Sequence, residues 1–159
     1  MNRLGRRVVR FFTDNRYDGE SRWVFILSLL LLPSIAVGLH RVGLKRMRAT
    51  LEARTPQPTA AATSDSTARA RRLARMVNAA ARLSPYKANC LKRALVLWWL
   101  LRRRGIASDI RIGVRKGAAT LEAHAWVEIG GVVINDAPSF VGTFTPFAGD
   151  IMAAYRFVK

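Results

Sequence analysis

The spacing of apolar residues predicts three helices in the first two thirds of the chain. No charged residue occurs from Trp23 to Leu39, which predicts a hydrophobic helix at about residues 23–39. A second, amphipathic helix is predicted at residues 67–83, where apolar residues recur every three or four positions (Ala70, Leu73, Val77 and Ala80). A third helix is predicted to begin at Cys90, because Asn89 suits an N-cap and the following residues are apolar nearly all round, as in a buried central helix.

After Gly105 the pattern changes to the alternation of β-strands. Strands are predicted at about Ile110–Val114 and Leu121–Ile129, and a return strand at Val132–Asp136 follows the Gly130-Gly131 turn. The chain therefore has the pattern of an α+β fold, in which the buried helix packs on an antiparallel sheet. The last residues are mixed in character, and five aromatic residues there are predicted to belong to the core or to a lid: Phe140, Phe144, Phe147, Tyr155 and Phe157.

Composition suggests a division of the chain into three parts. Residues 1–54 form a basic segment around the hydrophobic helix, residues 55–66 read as a linker rich in proline and small polar residues, and residues 67–159 form the main domain. The uncharged run of the helix is at the lower limit for crossing a bilayer, and both of its flanks are basic. Three alternatives therefore stay open: a short membrane helix, a helix lying in the membrane interface, or a helix packed on the domain or on a partner protein.

The chain is strongly basic, with 27 Lys and Arg against 10 Asp and Glu and a formal net charge of +17. Such a charge favours polyanions, acidic peptides or anionic lipid surfaces. Nucleic acid is not expected as a partner, because no zinc-finger, aromatic RNA-binding or basic-region pattern occurs and the basic residues are spread over the whole chain. Four arginines of the second predicted helix are interpreted as a solvated face: Arg69, Arg71, Arg72 and Arg75.

The single cysteine, Cys90, limits the chemistry that is available. An intramolecular disulfide is impossible, so a reducing, cytoplasmic location fits, and one Cys with two His cannot complete a four-ligand structural zinc site. No metal or cofactor is expected. At the first turn of a helix, a cysteine thiolate is stabilised by free backbone N–H groups and the helix dipole, which suits a nucleophile. A buried, inert cysteine is the alternative.

His124 and Asp136 are the candidate partners of this nucleophile. His124 lies on the polar face of its strand between two alanines, which leaves room for a substrate, and Asp136 at the end of the return strand could fix its tautomer. Taken alone, each residue also fits a plain structural role, as a strand histidine or a turn aspartate. The triad requires the two side chains to face each other, which predicts a three-residue loop pairing Glu128 with Val132, or a bulge of equal effect. A two-residue turn would place them on opposite faces.

Several short segments in this order resemble one known family. They are Cys90-Leu91-Lys92-Arg93-Ala94-Leu95, Arg103-Arg104-Gly105-Ile106, Ile112-Gly113-Val114-Arg115, Ala123-His124-Ala125-Trp126-Val127-Glu128 and Asn135-Asp136. Together they resemble the lasso-peptide leader peptidases, the B proteins of lasso-peptide biosynthesis, within the transglutaminase-like cysteine protease superfamily. The likeness covers about residues 67–147 and implies a transglutaminase-like, papain-like core preceded by a hydrophobic helix.

The resemblance also implies roles and partners. Cys90 would be the nucleophile, His124 the base and acid, and Asp136 the residue that orients His124, in an enzyme that removes the leader from a ribosomally made precursor. The implied partners are the precursor peptide, a separate leader-recognition protein, an ATP-dependent lasso cyclase and, through residues 23–39, an exporter or the membrane. Residues 1–60 show no winged-helix pattern, so recognition is expected to come from a separate protein, and the absence of a phosphate-binding loop assigns any use of ATP to the partner.

Two other functions use the same residues. A transglutaminase-type acyl transferase would form the same acyl-enzyme and pass it to an amine, whereas a non-catalytic peptide-binding or membrane scaffold would keep only the fold. The sequence leaves the second oxyanion donor unassigned. Glu122 and Glu128 are interpreted as solvated strand carboxylates, although their face of the strand also carries His124.

Overall fold

A computed structural model describes residues 18–58, 63–84, 88–117 and 120–147. The basic residues before Asp18, the helix-breaking Pro85 and the aromatic residues Tyr155 and Phe157 lie outside these ranges. Within them, four helices and a four-stranded antiparallel sheet follow one another along the chain.

The first helix, α1 (Gly19–Ala53), is longer than the predicted segment 23–39. Asp18 caps its first turn by accepting a hydrogen bond from the Ser21 amide at 2.9 Å. The helix bends at Gly43, whose positive φ of 75° departs from helical geometry. The prediction stopped too early because the residues after Leu39 are polar on their outer side, while leucines continue the buried stripe toward the end of the helix.

The two faces of α1 differ in what they contact. One face is buried against the next two helices and contains Val24, Phe25, Leu32, Ile35 and Leu39. The opposite face leaves Trp23, Ile26, Leu30 and Val37 exposed. By length and composition α1 is a candidate membrane span, but core helices of soluble proteins meet the same criteria, and 33% of its most apolar stretch is buried. Within the described residues, α1 packs against the next two helices.

The second helix, α2 (Ser64–Leu83), begins three residues before the predicted Thr67. Thr63 caps it and forms a reciprocal capping box with Ser66. Its buried residues include the four that define the predicted stripe. Glu20 of α1 accepts hydrogen bonds from Arg69 at 2.7 Å and from Arg104 at 2.8 Å, which joins α1 to α2 and to the turn after the third helix. The Arg69 side chain is 42% exposed, so it is solvated as interpreted, and tertiary packing also brings a carboxylate to it.

The third helix, α3 (Cys90–Arg102), confirms the predicted central helix. Asn89 caps it through a hydrogen bond from the Lys92 amide at 3.1 Å. Every residue from Ala94 to Leu101 is buried. The chain leaves the helix through Gly105, whose φ of 72° is the left-handed conformation that favours glycine after a helix.

The sheet contains β1 (Asp109–Lys116), β2 (Leu121–Ile129), β3 (Val132–Val133) and β4 (Thr145–Pro146), in the spatial order β3-β2-β1-β4. A short helix, α4 (Pro138–Val141), lies between β3 and β4 along the chain. The helices and one face of the sheet enclose a single hydrophobic core that includes residues of α1, while Trp126, Val141 and Phe144 form a smaller cluster on the other face. The α+β architecture is thus as predicted. The division at residues 55–66 stays a prediction.

The β2–β3 hairpin does not have the predicted three-residue loop. Ile129 pairs with Val132 and Glu128 with Val133, so the turn consists of Gly130 and Gly131 alone. Both glycines have positive φ, 54° and 80°, as in the two-residue turns that match strand twist. The pairing of β2 with β3 ends at Val133, because the return strand has only two residues instead of the predicted five.

Asn135 completes the hairpin with its side chain. The Ile134 amide still donates to the Val127 carbonyl at 3.0 Å, but the chain then bends. The buried Val127 amide donates instead to Asn135 Oδ1 at 2.7 Å. The Nδ2 of Asn135 donates to Asp136 Oδ2 at 2.8 Å. The Asn135 side chain therefore accepts the hydrogen bond of a strand amide and also holds the carboxylate of Asp136 in place.

We predict that Asn135→Ala lowers the free energy of unfolding by about 1–3 kcal/mol, because the buried Val127 amide loses its acceptor. Urea denaturation followed by circular dichroism measures this change. Ser139→Ala, a substitution of an exposed residue in the neighbouring α4, is the control and should change the stability by less than about 0.5 kcal/mol. Equal stability of the two variants would contradict the role of the Asn135 side chain.

Candidate active site

Cys90 lies where the first turn of α3 meets the open edge of β2. Since β3 pairs only with the end of β2, the amide of Ala125 has no strand partner and hydrogen-bonds the Cys90 sulfur. The backbone amide of Leu91, in the first turn of α3, also hydrogen-bonds the sulfur. The half-buried thiol is therefore surrounded by donors that favour its ionised form.

The imidazole of His124 connects Cys90 to Asp136. His124 is only 8% exposed, and its ring hydrogen-bonds the Cys90 sulfur. Its Nε2 donates to Asp136 Oδ2 at 3.2 Å. The sequence-predicted residues Cys90, His124 and Asp136 thus lie in one hydrogen-bonded chain.

The even hairpin register does not separate His124 from Asp136, contrary to the expectation. The expectation assumed that Asp136 would lie in a regular strand, where register decides its face. In the structure the chain bends at Asn135 and Asp136 after the last paired residue. The bend turns the carboxylate back toward the edge of β2, and the hydrogen bond from Asn135 holds it there.

Three aromatic rings pack around His124. The Phe140 ring meets its edge with centroids 5.1 Å apart, Phe144 lies at 5.3 Å, and Trp126 is stacked at 6.2 Å. The prediction that Phe140 and Phe144 are core or lid residues agrees with this position. Their packing fixes the ring and keeps water from the part of it that they cover.

Gly113 makes room for these rings. It is paired with His124 across β1 and β2. A Cβ at this position would lie 2.8 Å from Trp126 Cη2 and 2.9 Å from Phe144 Cβ, closer than real contacts allow. The sequence alone gave Gly113 only a place in a strand, since the need for a glycine comes from rings that are distant along the chain.

The electrostatic environment favours a thiolate–imidazolium pair. Burial raises the pKa of the Cys90 thiol, but the hydrogen bond from His124, the Ala125 amide and the imidazolium charge outweigh it and bring the pKa below its ordinary 9.0. Burial lowers the pKa of His124, but the hydrogen bonds and charges of Asp136 and Cys90 outweigh it and raise the pKa to about 9. The thiol and the imidazole titrate as a coupled pair.

The two strand glutamates do not face the triad as free carboxylates. Glu122 forms an ion pair with Arg115 at 2.6 Å. Glu128 accepts from Trp126 Nε1 at 2.7 Å and lies 3.3 Å from Arg111. Both therefore stabilise the sheet, rather than being only solvated.

Among residues 18–58, 63–84, 88–117 and 120–147, no group of three or more potential metal ligands occurs.

A cleft of about 630 Å³ opens beside Asp136, between α2 and the segment from β3 to α4. Asn78 of α2 reaches across it, and its Nδ2 donates to the Asn135 carbonyl at 3.0 Å. Arg93 of α3 donates to Asn78 Oδ1 at 3.2 Å. Sequence reasoning missed Asn78 and gave Asn135 and Arg93 no role. The helical spacing of Asn78 with Arg75 and Arg82 was the one available signal.

This arrangement has the parts that acyl transfer to sulfur requires. A thiol with a lowered pKa stands next to an imidazole that can carry its proton, and a carboxylate holds the imidazole. Backbone amides of the first helical turn and the strand edge contact the sulfur, where they stabilise the negative charge of the thiolate before it attacks.

Known proteins resemble the chain in both family and sequence. The family model of the transglutaminase-like superfamily matches residues 29–149, well over half of the chain. The microcin J25-processing protein McjB of Escherichia coli is 42% identical over 57 residues, which cover 36% of this chain and 26% of that protein. The aligned segment thus spans about a quarter of the length of that relative. No solved structure matches the chain significantly.

The two matches agree with the resemblance that the short sequence segments indicate. The helix that begins at Cys90 and the antiparallel sheet agree with the same assignment. The chain belongs to the transglutaminase-like superfamily.

Proposed function

We propose that this protein is a cysteine peptidase that removes the leader from a ribosomally made lasso-peptide precursor. The observation that carries the proposal is the hydrogen-bonded chain from Cys90 through His124 to Asp136. The 42% identity to a protein named for processing microcin J25 supports a peptide substrate. The segments shared with the lasso-peptide leader peptidases support the same substrate class.

The proposed reaction begins with the thiolate of Cys90. Its Sγ attacks the scissile carbonyl carbon, and the imidazolium of His124 gives its proton to the leaving amine nitrogen as the C–N bond breaks. The product is a thioester. His124 then takes a proton from water, which attacks the thioester carbon and releases the acid and the thiolate. Asp136 stabilises the imidazolium and holds its orientation through both halves of the reaction.

The proposed setting is the cytoplasm, beside a separate leader-recognition protein and an ATP-dependent lasso cyclase. A lone cysteine that must be reduced to react suits a reducing compartment. The exposed apolar face of α1, with Trp23, Ile26 and Leu30, is the proposed contact with a membrane, an exporter or the cyclase.

We predict that Cys90→Ala abolishes leader removal while the protein still binds its precursor. Removing a nucleophile lowers the rate on the order of 10³-fold or more. The wild-type and variant proteins are each incubated with a candidate precursor and recognition protein, and the products are identified by mass spectrometry. Unchanged processing by the variant would support a scaffold, and a mass gain from an added amine would support acyl transfer instead of hydrolysis.

We predict that iodoacetamide alkylates wild-type Cys90 with a half-maximal rate at a pH below 9.0, and that His124→Ala moves this midpoint upward. The variant loses the imidazolium that stabilises the thiolate, while the burial that raises the pKa of the thiol persists. Since the chain has one cysteine, intact mass reports the reaction directly. His40→Ala, which removes the other histidine at an exposed position of α1, should leave the profile unchanged. The same midpoint in all three proteins would show that His124 does not activate the thiol.

We predict a bell-shaped pH dependence of kcat/KM. The rate rises with pH as the thiol, whose pKa is lowered, ionises, and it falls as His124 loses its proton near its pKa of about 9. Asp136→Asn removes an interaction that raises the pKa of His124, so the falling limb should move toward neutral pH. Asp65→Asn removes the same charge from the exposed start of α2 and is the matched control. A falling limb that stays in place in Asp136→Asn would argue against the coupling.

A further inference from the structure

The cleft beside Asp136 has an unusual concentration of positive charge. Arg71, Arg75 and Arg82 of α2 and Arg93 of α3 all line it, and we call it the arginine cleft. Positions 71, 75, 78 and 82 follow helical spacing, so the three arginines of α2 form one stripe with Asn78. The stripe faces the chain segment that carries Asp136.

The cleft arginines lack the carboxylate neighbours that other arginines of the described residues have. Arg69 is paired with Glu20, and Arg72 lies near Asp18. By contrast, no carboxylate among the described residues forms an ion pair with any of the four cleft arginines. Asp136 is the single acidic side chain of the cleft lining, and its Oδ2 is already engaged by His124 and Asn135. Arg71 and Arg75, one helical turn apart, repel each other without a neighbouring anion.

Arg93 gives a second, independent indication of a missing acceptor. One of its terminal nitrogens donates to Asn78 Oδ1, but its Nε is buried and has no hydrogen-bond partner among the described residues. A buried guanidinium donor without an acceptor costs free energy, so such groups are normally satisfied. A carboxylate is the usual planar partner of a guanidinium.

The cleft shares one residue, Asp136, with the candidate active site. Asp136 lines the cleft and also accepts the hydrogen bond from His124, which in turn contacts Cys90. A peptide whose scissile bond lay at Cys90 could therefore extend into the cleft. The volume of about 630 Å³ is in the range of sites that hold a few residues of a ligand.

We infer that the arginine cleft binds an acidic segment of the peptide substrate and positions the scissile bond at Cys90. This inference rests on the proposed peptidase function and adds the charge of the substrate to it. Carboxylates of the peptide form ion pairs with Arg71, Arg75 and Arg82, and specificity for acidic side chains follows from their number and spacing.

A peptide fits this cleft better than a nucleic acid does. Single-stranded nucleic acids are held by aromatic side chains on which bases stack, and no aromatic residue occurs in the described lining of the cleft.

The test uses the full-length Cys90→Ala protein, in which binding is separated from turnover. Fluorescence anisotropy measures binding of a rhodamine-labelled oligoglutamate peptide, with an oligoglutamine of equal length as the uncharged probe. We expect oligoglutamate to bind and oligoglutamine not to bind, with an affinity that falls as salt rises. Arg75→Gln in this background should weaken binding by about fivefold or more.

Arg72→Gln is the matched control, because this exposed arginine lies between Arg71 and Arg75 along α2 but does not line the cleft. It should change oligoglutamate binding by less than about twofold. Equal weakening by Arg72→Gln and Arg75→Gln would show a diffuse charge effect and overturn the site. Tighter binding of oligothymidylate than of oligoglutamate, with the same dependence on Arg75, would assign the cleft to nucleic acid.

Two further readouts separate this inference from the proposed function. In protein with Cys90 intact, Arg75→Gln should leave the iodoacetamide profile unchanged and should raise KM for precursor cleavage more than it lowers kcat. Precursor cleavage without any Arg75-dependent binding would overturn the cleft and keep the peptidase. Arg75-dependent binding without precursor cleavage would support the cleft and contradict the peptidase.

Discussion

The candidate site depends on a strand edge that its neighbour leaves open. β3 pairs with β2 over two residues, so the amides of Val127 and Ala125 face outward without a strand partner. A buried amide must still find an acceptor. Here the acceptors are the side chain of Asn135 and the sulfur of Cys90. A longer β3 would take both amides and separate the helix from the sheet edge, so the short strand is what allows α3 and His124 to meet.

The sequence predicted the parts of the fold that local rules determine. The structure confirms the start of α3, its Asn89 cap and the full extent of β2, because each follows from residue type and short-range periodicity. The left-handed Gly105 after α3 follows the same local rules. The predicted site residues also prove to be adjacent. Their catalytic roles stay a prediction, since adjacency alone does not show turnover.

The errors come from interactions between residues distant in sequence. Two glycines allow either a two-residue or a three-residue loop. The three-residue loop was predicted because it would align His124 with Asp136 in a regular ladder. The structure reaches the same contact through a bend, because Asn135 replaces the strand pairing with its side chain. Periodicity cannot reveal that replacement. In the same way, the arginines of α2 could not be divided into paired and unpaired ones before the positions of Glu20 and the cleft were known.

The distribution of carboxylates gives the high positive charge a structural meaning. Glu20 joins three helical segments through Arg69 and Arg104, and Glu122 and Glu128 support the sheet, so scarce acidic residues are placed where they hold the fold. Around the arginine cleft, the described residues supply no carboxylate that forms an ion pair with the arginines. An acidic segment of the proposed substrate would supply such carboxylates, so the positive charge that the fold leaves unpaired is available to bind the substrate.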